Sequence, residues 1–176
     1  FHHSVVLGVA GQIVDAVKSG DLKRFYLIGG CDGAEAGRNY YTQLAESAPD
    51  ESVILTLGCG KYRIRNHDYG EVAGLPRFLD MGQCNDAYGA VQVALALSKA
   101  FDCGVNDLPL EIVLSWFEQK AVAVLLSLLA LDVKGIRIGP VAPAFVTPNV
   151  FKFLQDRFDL KLIESSPPAE LVQLGA

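Results

Sequence analysis

The chain has 176 residues, of which 51% are hydrophobic, and its 15 Lys and Arg against 20 Asp and Glu give a formal net charge of −5. This balance is typical of one globular domain with a buried core and excludes a disordered chain. The basic residues form no run, so nucleic acid is not an expected partner. The most apolar segment, residues 121–131, is shorter than the roughly 20 residues that a membrane-spanning helix needs, so we expect no membrane insertion.

The start of the chain and its cysteines indicate what kind of protein it comes from and where that protein is located. The chain starts in mid-pattern at Phe1 without a secretory leader, and its only methionine is Met81. We therefore expect residues 1–176 to be a single α/β domain from the C-terminal part of a longer multidomain protein. The four cysteines have no sign of a secreted disulfide framework, so we expect reduced thiols and a cytoplasmic location.

Apolar periodicity predicts alternating helices and strands along the chain. In chain order, we predict a helix over 5–17 ending at Gly20, a strand over 25–28, a helix over 38–47, a strand over 53–57, a long loop over 60–76, a brief strand over 77–81, a helix over 87–101 capped by Asp86, a strand over 110–116, a helix over 119–131, a strand over 136–138, a helix over 149–158 and an edge strand over 160–163. Continuous apolar strands that alternate with helices are buried on both faces. We predict a Rossmann-like, doubly wound, mainly parallel sheet with helices on both faces.

Chemically distinctive side chains follow four of the predicted strands. Cys31, Cys59, Cys84 and Glu118 each come shortly after a strand, and the three cysteines have glycine neighbours that permit sharp turns. Because the carboxyl ends of parallel strands share one crevice, we expect these side chains to converge there. The glycines in residues 29–33 lack the G-x-G-x-x-G spacing of a dinucleotide-binding turn.

Three thiolates are soft ligands that favour zinc, copper(I) or iron–sulfur. Zinc sites usually draw on cysteine pairs at short spacing, and the sequence has none. Widely spaced cysteines on separate loops suit a multi-iron cluster better. A carboxylate, Glu118, beside three thiolates would suit iron that carries oxygen as well as sulfide.

Each of these residues also has an ordinary structural interpretation. A cysteine after a strand is often a small buried hydrophobe, and Glu118 fits the solvated start of a helix. By default Lys61 and Lys120 are surface residues and His67 is a loop residue without a role. Cys103 lies at the end of a helix, and we interpret it as structural. Three cysteines in the same topological position favour the functional interpretation for that set.

Five motifs occur in one order along the chain. They are residues 29–33 (Gly-Gly-Cys-Asp-Gly) with 38–42 (Arg-Asn-Tyr-Tyr-Thr), 58–63 (Gly-Cys-Gly-Lys-Tyr-Arg), 79–88 (Leu-Asp-Met-Gly-Gln-Cys-Asn-Asp-Ala-Tyr), 105–109 (Val-Asn-Asp-Leu-Pro) and 114–121 (Leu-Ser-Trp-Phe-Glu-Gln-Lys-Ala). Together they closely resemble the C-terminal domain of hybrid-cluster proteins, also called prismane proteins or hydroxylamine reductases. The likeness runs from about residue 2 to about residue 160.

The resemblance implies a hybrid iron–sulfur–oxygen cluster that this domain shares with preceding domains. In that pattern Cys31 would be the cysteine that can carry an extra sulfur, and Cys59 and Cys84 would be plain thiolate ligands. Glu118 would be the carboxylate ligand, and Lys120 a nearby cation. A second iron–sulfur cluster would lie in the N-terminal domain. Cys103 matches no ligand position of the pattern.

The resemblance also implies a reaction and its partners. The family reduces hydroxylamine to ammonia and is linked to nitric oxide reduction under nitrosative stress, with electrons from a reductase. The ligands of the preceding domains are not in this sequence, so we expect the isolated chain to fold without the hybrid cluster and without activity. Two alternatives are a related carbon monoxide dehydrogenase-type domain and a non-catalytic α/β binding module whose thiols hold a structural metal or none.

Overall fold

The structure, a computed structural model, describes residues 1–31, 39–115 and 118–173. Its helices are α1 (His3–Gly8), α2 (Ala10–Ser19), α3 (Asn39–Glu46), α4 (Lys61–Ile64), α5 (Ala87–Ala100), α6 (Gln119–Ala130), α7 (Pro148–Phe158) and α8 (Ala169–Val172). Its strands are β1 (Arg24–Gly30), β2 (Ser52–Leu57), β3 (Glu71–Val72), β4 (Leu75–Pro76), β5 (Phe78–Asp80), β6 (Leu110–Ser115), β7 (Arg137–Gly139) and β8 (Lys161–Leu162). The motif residues Asp32, Gly33, Arg38, Trp116 and Phe117 lie outside the described residues.

A six-stranded sheet in the order β5-β2-β1-β6-β7-β8 forms the centre of the fold. Every pairing in this sheet is parallel. Along the chain these strands are the sheet's third, second, first, fourth, fifth and sixth, which is the doubly wound order of nucleotide-binding folds. The predicted parallel α/β fold is therefore confirmed.

Alternate residues of the strands pack into two separate hydrophobic cores, one on each face of the sheet. Phe25 and Leu27 of β1 belong to a cluster on one face of the sheet, to which α1, α2, α5, α6 and α7 contribute. Tyr26 and Ile28 belong to a second cluster on the other face, to which α3 and α8 contribute. Strands buried on both faces explain the continuous apolar runs in the sequence.

The predicted helix over 5–17 is wrong as a single element. It is divided at Val9, whose φ of −107° and ψ of 14° depart from helical values, so α1 ends before α2 begins. Gly8 and Gly11 flank this residue, and glycine is a weak helix former. Gly20 does end α2, with a φ of 83° in the left-handed region.

The prediction of an unbroken loop over 60–76 is also wrong. The segment contains the one-turn helix α4 and the antiparallel pair β3–β4. These elements are too short for apolar periodicity to reveal. The same holds for α8, whose Leu171 is fully buried in the second core.

Within the described residues, no helix is both long enough and apolar enough to cross a bilayer.

Candidate functional site

The predicted site residues follow the carboxyl ends of four strands of the parallel sheet. Cys31 comes directly after β1, Cys59 follows β2, Cys84 follows β5, and Glu118 follows β6. The strand order reverses between β1 and β6, and ligands of doubly wound sheets bind in the crevice at such a reversal.

Cys31 and Glu118 meet across this reversal. The amide of Cys31 donates to the carbonyl oxygen of Ser115 at 2.7 Å. The amide of Glu118 in turn approaches Sγ of Cys31 at 3.4 Å. Glu118 immediately precedes α6, so the sulfur lies at the positive end of that helix.

Glycines allow the three thiol-bearing segments to approach one another. Gly30 has a φ of +110°, and a Cβ there would lie 1.8 Å from the carbonyl oxygen of Ser115. A Cβ on Gly58, whose φ is +79°, would lie 2.5 Å from the carbonyl oxygen of Gly30 and 3.2 Å from Sγ of Cys84. Only glycine fits both positions at low cost.

The three thiols differ in exposure. Cys59 is exposed, Cys84 is half-buried, and Cys31 is only 5% exposed. Cys31 lines a small cavity together with Tyr41, Gly60 and Ser115. Gly60 lies against the backbone of this segment, since its amide donates to the carbonyl oxygen of Gly30 at 3.0 Å.

The pKa of Cys84 is affected by the other predicted site residues. Burial is the main cause that raises the pKa of Cys84. Coulombic interactions with Cys31, Cys59 and Glu118 raise this pKa further, while the Lys120 ammonium lowers it. The charges of the other four groups thus all affect the pKa of this thiol.

A groove beside Cys84 opens between α5 and α6. It has a volume of about 380 Å³, and Cys84 and Lys120 line one part of it. Asn85, Tyr88 and Ser127 supply further polar groups to its lining. The groove gives a small molecule a route to Cys84 and Lys120.

The predicted donor residues lie on separate loops. In the part of the chain that the structure describes, no three or more His, Cys, Asp or Glu side chains are arranged to hold one ion. A multi-iron cluster presents several metal ions, so ligands on separate loops need not meet at one point. Three sulfurs and one carboxylate on a single rim suit such a cluster.

The sequence profile of the Prismane/CO dehydrogenase family matches residues 2–168. The chain belongs to this family. A hydroxylamine reductase of Moorella thermoacetica is 60% identical over 174 residues, which are 99% of this prismane-family chain and 40% of the relative. A hydroxylamine reductase of Rhodospirillum rubrum is 65% identical over 160 residues, 91% of this chain and 29% of the relative. The chain therefore spans less than half the length of these relatives.

Solved structures support the fold assignment of the prismane-family chain. A nickel-free carbon monoxide dehydrogenase from Thermococcus sp. AM4 superposes with a TM-score of 0.75 at 20% identity, over 98% of this chain and 31% of that one. Carbon monoxide dehydrogenase IV from Carboxydothermus hydrogenoformans superposes with a TM-score of 0.69 at 16% identity, over 92% of this chain and 31% of that one. At such identities the likeness establishes the fold alone.

Among the other residues singled out in the sequence of the prismane-family chain, Lys61 and Asp86 differ from expectation, while His67 and Cys103 agree with it. Lys61, predicted at the surface, is only 6% exposed. Asp86 does not cap α5 with its side chain, because its carboxylate accepts from the amide of Gln83 at 2.7 Å instead. His67 is exposed, and its ring packs against Tyr69 with centroids 4.8 Å apart. Cys103 packs against the first core. The ligand roles of Cys31, Cys59, Cys84 and Glu118 stay predictions.

Sequence reasoning missed the pair of Lys61 and Asp80. Nζ of Lys61 lies 2.8 Å from Oδ1 of Asp80. The only sequence signal was the position of Lys61 two residues after Cys59.

We expect Cys84 of the iron-free protein to be alkylated by iodoacetamide mainly above pH 9. Its pKa is raised from the ordinary 9.0, so the reactive thiolate forms at a higher pH than it does in an unfolded chain. Because the folded state binds this proton more tightly, the protonated thiol contributes to the free energy of unfolding. This contribution is lost as pH rises from 9.0 through the pKa of the folded state. Alkylation rates across pH, followed by peptide mass spectrometry, measure this. A midpoint at or below 9.0 would contradict it.

Proposed function

We propose that this chain is the C-terminal cluster-binding domain of a hydroxylamine reductase. The observation that carries the proposal is that Cys31, Cys59, Cys84 and Glu118 all follow strands of one parallel sheet. The amide of Glu118 lies 3.4 Å from Sγ of Cys31, and a Cβ on Gly58, next to Cys59, would lie 3.2 Å from Sγ of Cys84. The hydroxylamine reductases compared above are 60% and 65% identical to the chain. The two carbon monoxide dehydrogenases compared above are 20% and 16% identical to it, which favours the reductase over the dehydrogenase alternative.

In this proposal Cys31, Cys59, Cys84 and Glu118 hold a hybrid iron–sulfur–oxygen cluster together with ligands from the rest of the protein. When bound, the cluster supplies electrons and Lewis acidity. The net reaction takes hydroxylamine, two electrons and two protons to ammonia and water, and nitric oxide is a second candidate substrate. Electrons come from a reductase through a second iron–sulfur cluster in the preceding domains. Reduced thiols are typical of the cytoplasm, which is the location that we propose for the protein.

The residues of this chain contribute charge and protons. Lys120 stands in the first turn of α6 and lines the groove with Cys84. Its ammonium can donate a proton to a substrate oxygen in that groove and stabilise negative charge there. Glu118 precedes the same helix and can take up the opposite role of proton acceptor.

Anaerobic purification of the complete protein tests the proposal. We expect bound iron and sulfide, an electron paramagnetic resonance spectrum of a cluster, and ammonia formation that depends on hydroxylamine. Carbon monoxide oxidation without hydroxylamine reduction would favour the dehydrogenase alternative. A protein without iron would favour the binding module and overturn the proposal.

For the isolated chain we expect folding without the hybrid cluster and without reductase activity, because it carries only part of the ligand set. Iron and sulfide analysis of the anaerobically prepared chain measures this. A stoichiometric content of four irons would contradict it.

Replacing Lys120 by methionine in the complete protein should lower hydroxylamine turnover by roughly 100-fold or more, the usual contribution of a positioned proton donor. The matched control is Lys152→Met on α7, where the lysine is exposed and only 4.0 Å from Asp156. Steady-state kinetics of both variants provide the measurement. Unchanged turnover in Lys120→Met would remove Lys120 from the mechanism.

A further inference from the structure

Lys61 is a buried cation beside the thiol-bearing segments. Its Nζ donates to Oδ1 of Asp80 at 2.8 Å and to the carbonyl oxygen of Gly82 at 3.1 Å. Burial of an ammonium is unfavourable unless protein groups replace its water. These two acceptors therefore decide where the side chain lies.

The same two acceptors receive further hydrogen bonds. Oδ1 of Asp80 also accepts from the amide of Gly82 at 2.8 Å. The carbonyl oxygen of Gly82 also accepts from the amide of Gly58 at 3.0 Å. Residues 58–61 carry Cys59, and residues 80–82 lead into Cys84, so these bonds tie the two thiol-bearing segments together.

Asp80 is ionised in this arrangement. Burial acts to raise the pKa of Asp80, but the hydrogen bonds from Lys61 and Gly82 and the charge of Lys61 outweigh it, and the pKa lies below its ordinary value. A charge-assisted hydrogen bond is shorter and stronger than a neutral one. The pair of Lys61 and Asp80 thus holds the two segments more firmly than a neutral contact would.

We propose that Lys61 and Asp80 are positioning residues that set the separation of Cys59 and Cys84 for cluster binding. The inference rests on the proposed function, since it assigns the pair a role toward the same cluster. Residues that orient metal ligands from outside the coordination sphere commonly change metal affinity by roughly 10- to 100-fold when replaced.

Four variants of the complete protein test the inference: Lys61→Met, Lys61→Arg, Asp80→Asn and the control Lys23→Met. Lys23 lies 3.5 Å from Glu51, and both side chains are about half exposed. Hydrogen–deuterium exchange of the iron-free protein reports how firmly residues 80–86 are held. The rate of iron loss to a ferrous chelator and the electron paramagnetic resonance spectrum report on the cluster.

We expect Lys61→Met to speed exchange in residues 80–86, to release iron roughly 10- to 100-fold faster and to change the spectrum. Lys61→Arg keeps the charge and should restore part of each property, while Lys23→Met should match the parent. Unchanged exchange would overturn the inference, and so would faster exchange with unchanged iron release and spectrum. If Lys61→Met does not fold, Asp80→Asn and Lys61→Arg are used to test the inference. The same changes in exchange, iron release and spectrum then support or overturn it. A parent protein without iron would overturn the proposed function itself. The iron content of the parent is therefore measured before any variant is compared with it.

Discussion

Replacing Cys84 by serine in the complete protein should abolish the cluster and lower hydroxylamine reduction by roughly 100-fold or more. A serine oxygen is a hard, weakly acidic ligand and does not substitute for a thiolate on iron. Sγ of Cys84 would lie 3.2 Å from a Cβ on Gly58, which precedes Cys59, so its loss should also affect the neighbouring thiol-bearing segment. Iron and sulfide content, the electron paramagnetic resonance spectrum and ammonia formation measure the effect.

The chain supplies a matched control in Cys103→Ala. Cys103 is half-buried against the first core, and we interpret it as structural. This variant should keep both cluster and activity, at the cost of a small loss of packing. Equal loss in Cys84→Ser and Cys103→Ala would indicate a general sensitivity to cysteine replacement and would contradict the ligand assignment.

Replacing Gly30 by alanine should lower the free energy of unfolding by roughly 2–6 kcal/mol, as the sum of backbone strain and overpacking. The new Cβ would lie 1.8 Å from the carbonyl oxygen of Ser115, at a φ of +110° that alanine rarely adopts. Relief of this clash must separate β1 from β6, and Cys31 would move away from Glu118. Urea unfolding of the chain, with the linear dependence on denaturant, measures the change.

Gly11→Ala is the control for this substitution. Gly11 lies within α2, and a Cβ there meets no atom within 4 Å. Alanine in a helix is favoured over glycine by about 1 kcal/mol, so this variant should be slightly more stable than the parent. A similar destabilisation in both variants would show that the contact with Ser115 is not the cause.

The position of the candidate site residues at one rim of the sheet could be predicted from the sequence because of how parallel strands are built. Strands buried on both faces are continuous apolar runs, such as residues 53–57, and they end visibly at glycines such as Gly58. The side chains after these runs then belong to one rim whatever the details of the loops. The position of Cys59 and Cys84 on a common rim follows from this rule.

The burial of individual groups could not be predicted in the same way. Lys61 is buried because Asp80, 19 residues away, and the carbonyl oxygen of Gly82 replace its water. Cys31 is buried where β1 lies beside β6, and its amide donates to the carbonyl oxygen of Ser115. Both positions involve contacts between distant segments, and a local pattern of apolar residues carries no information about them.

The register of the sheet has a consequence for how such a protein can vary. Gly29 is level with Leu57 of β2 and with Leu114 of β6, so the ends of these three strands are aligned side by side. Their alignment depends on ladder hydrogen bonds and not on the number of residues in the connections. Insertions or deletions in a connection, for example at the β3–β4 hairpin, can therefore accumulate during evolution while the sulfur-bearing turns keep their mutual geometry.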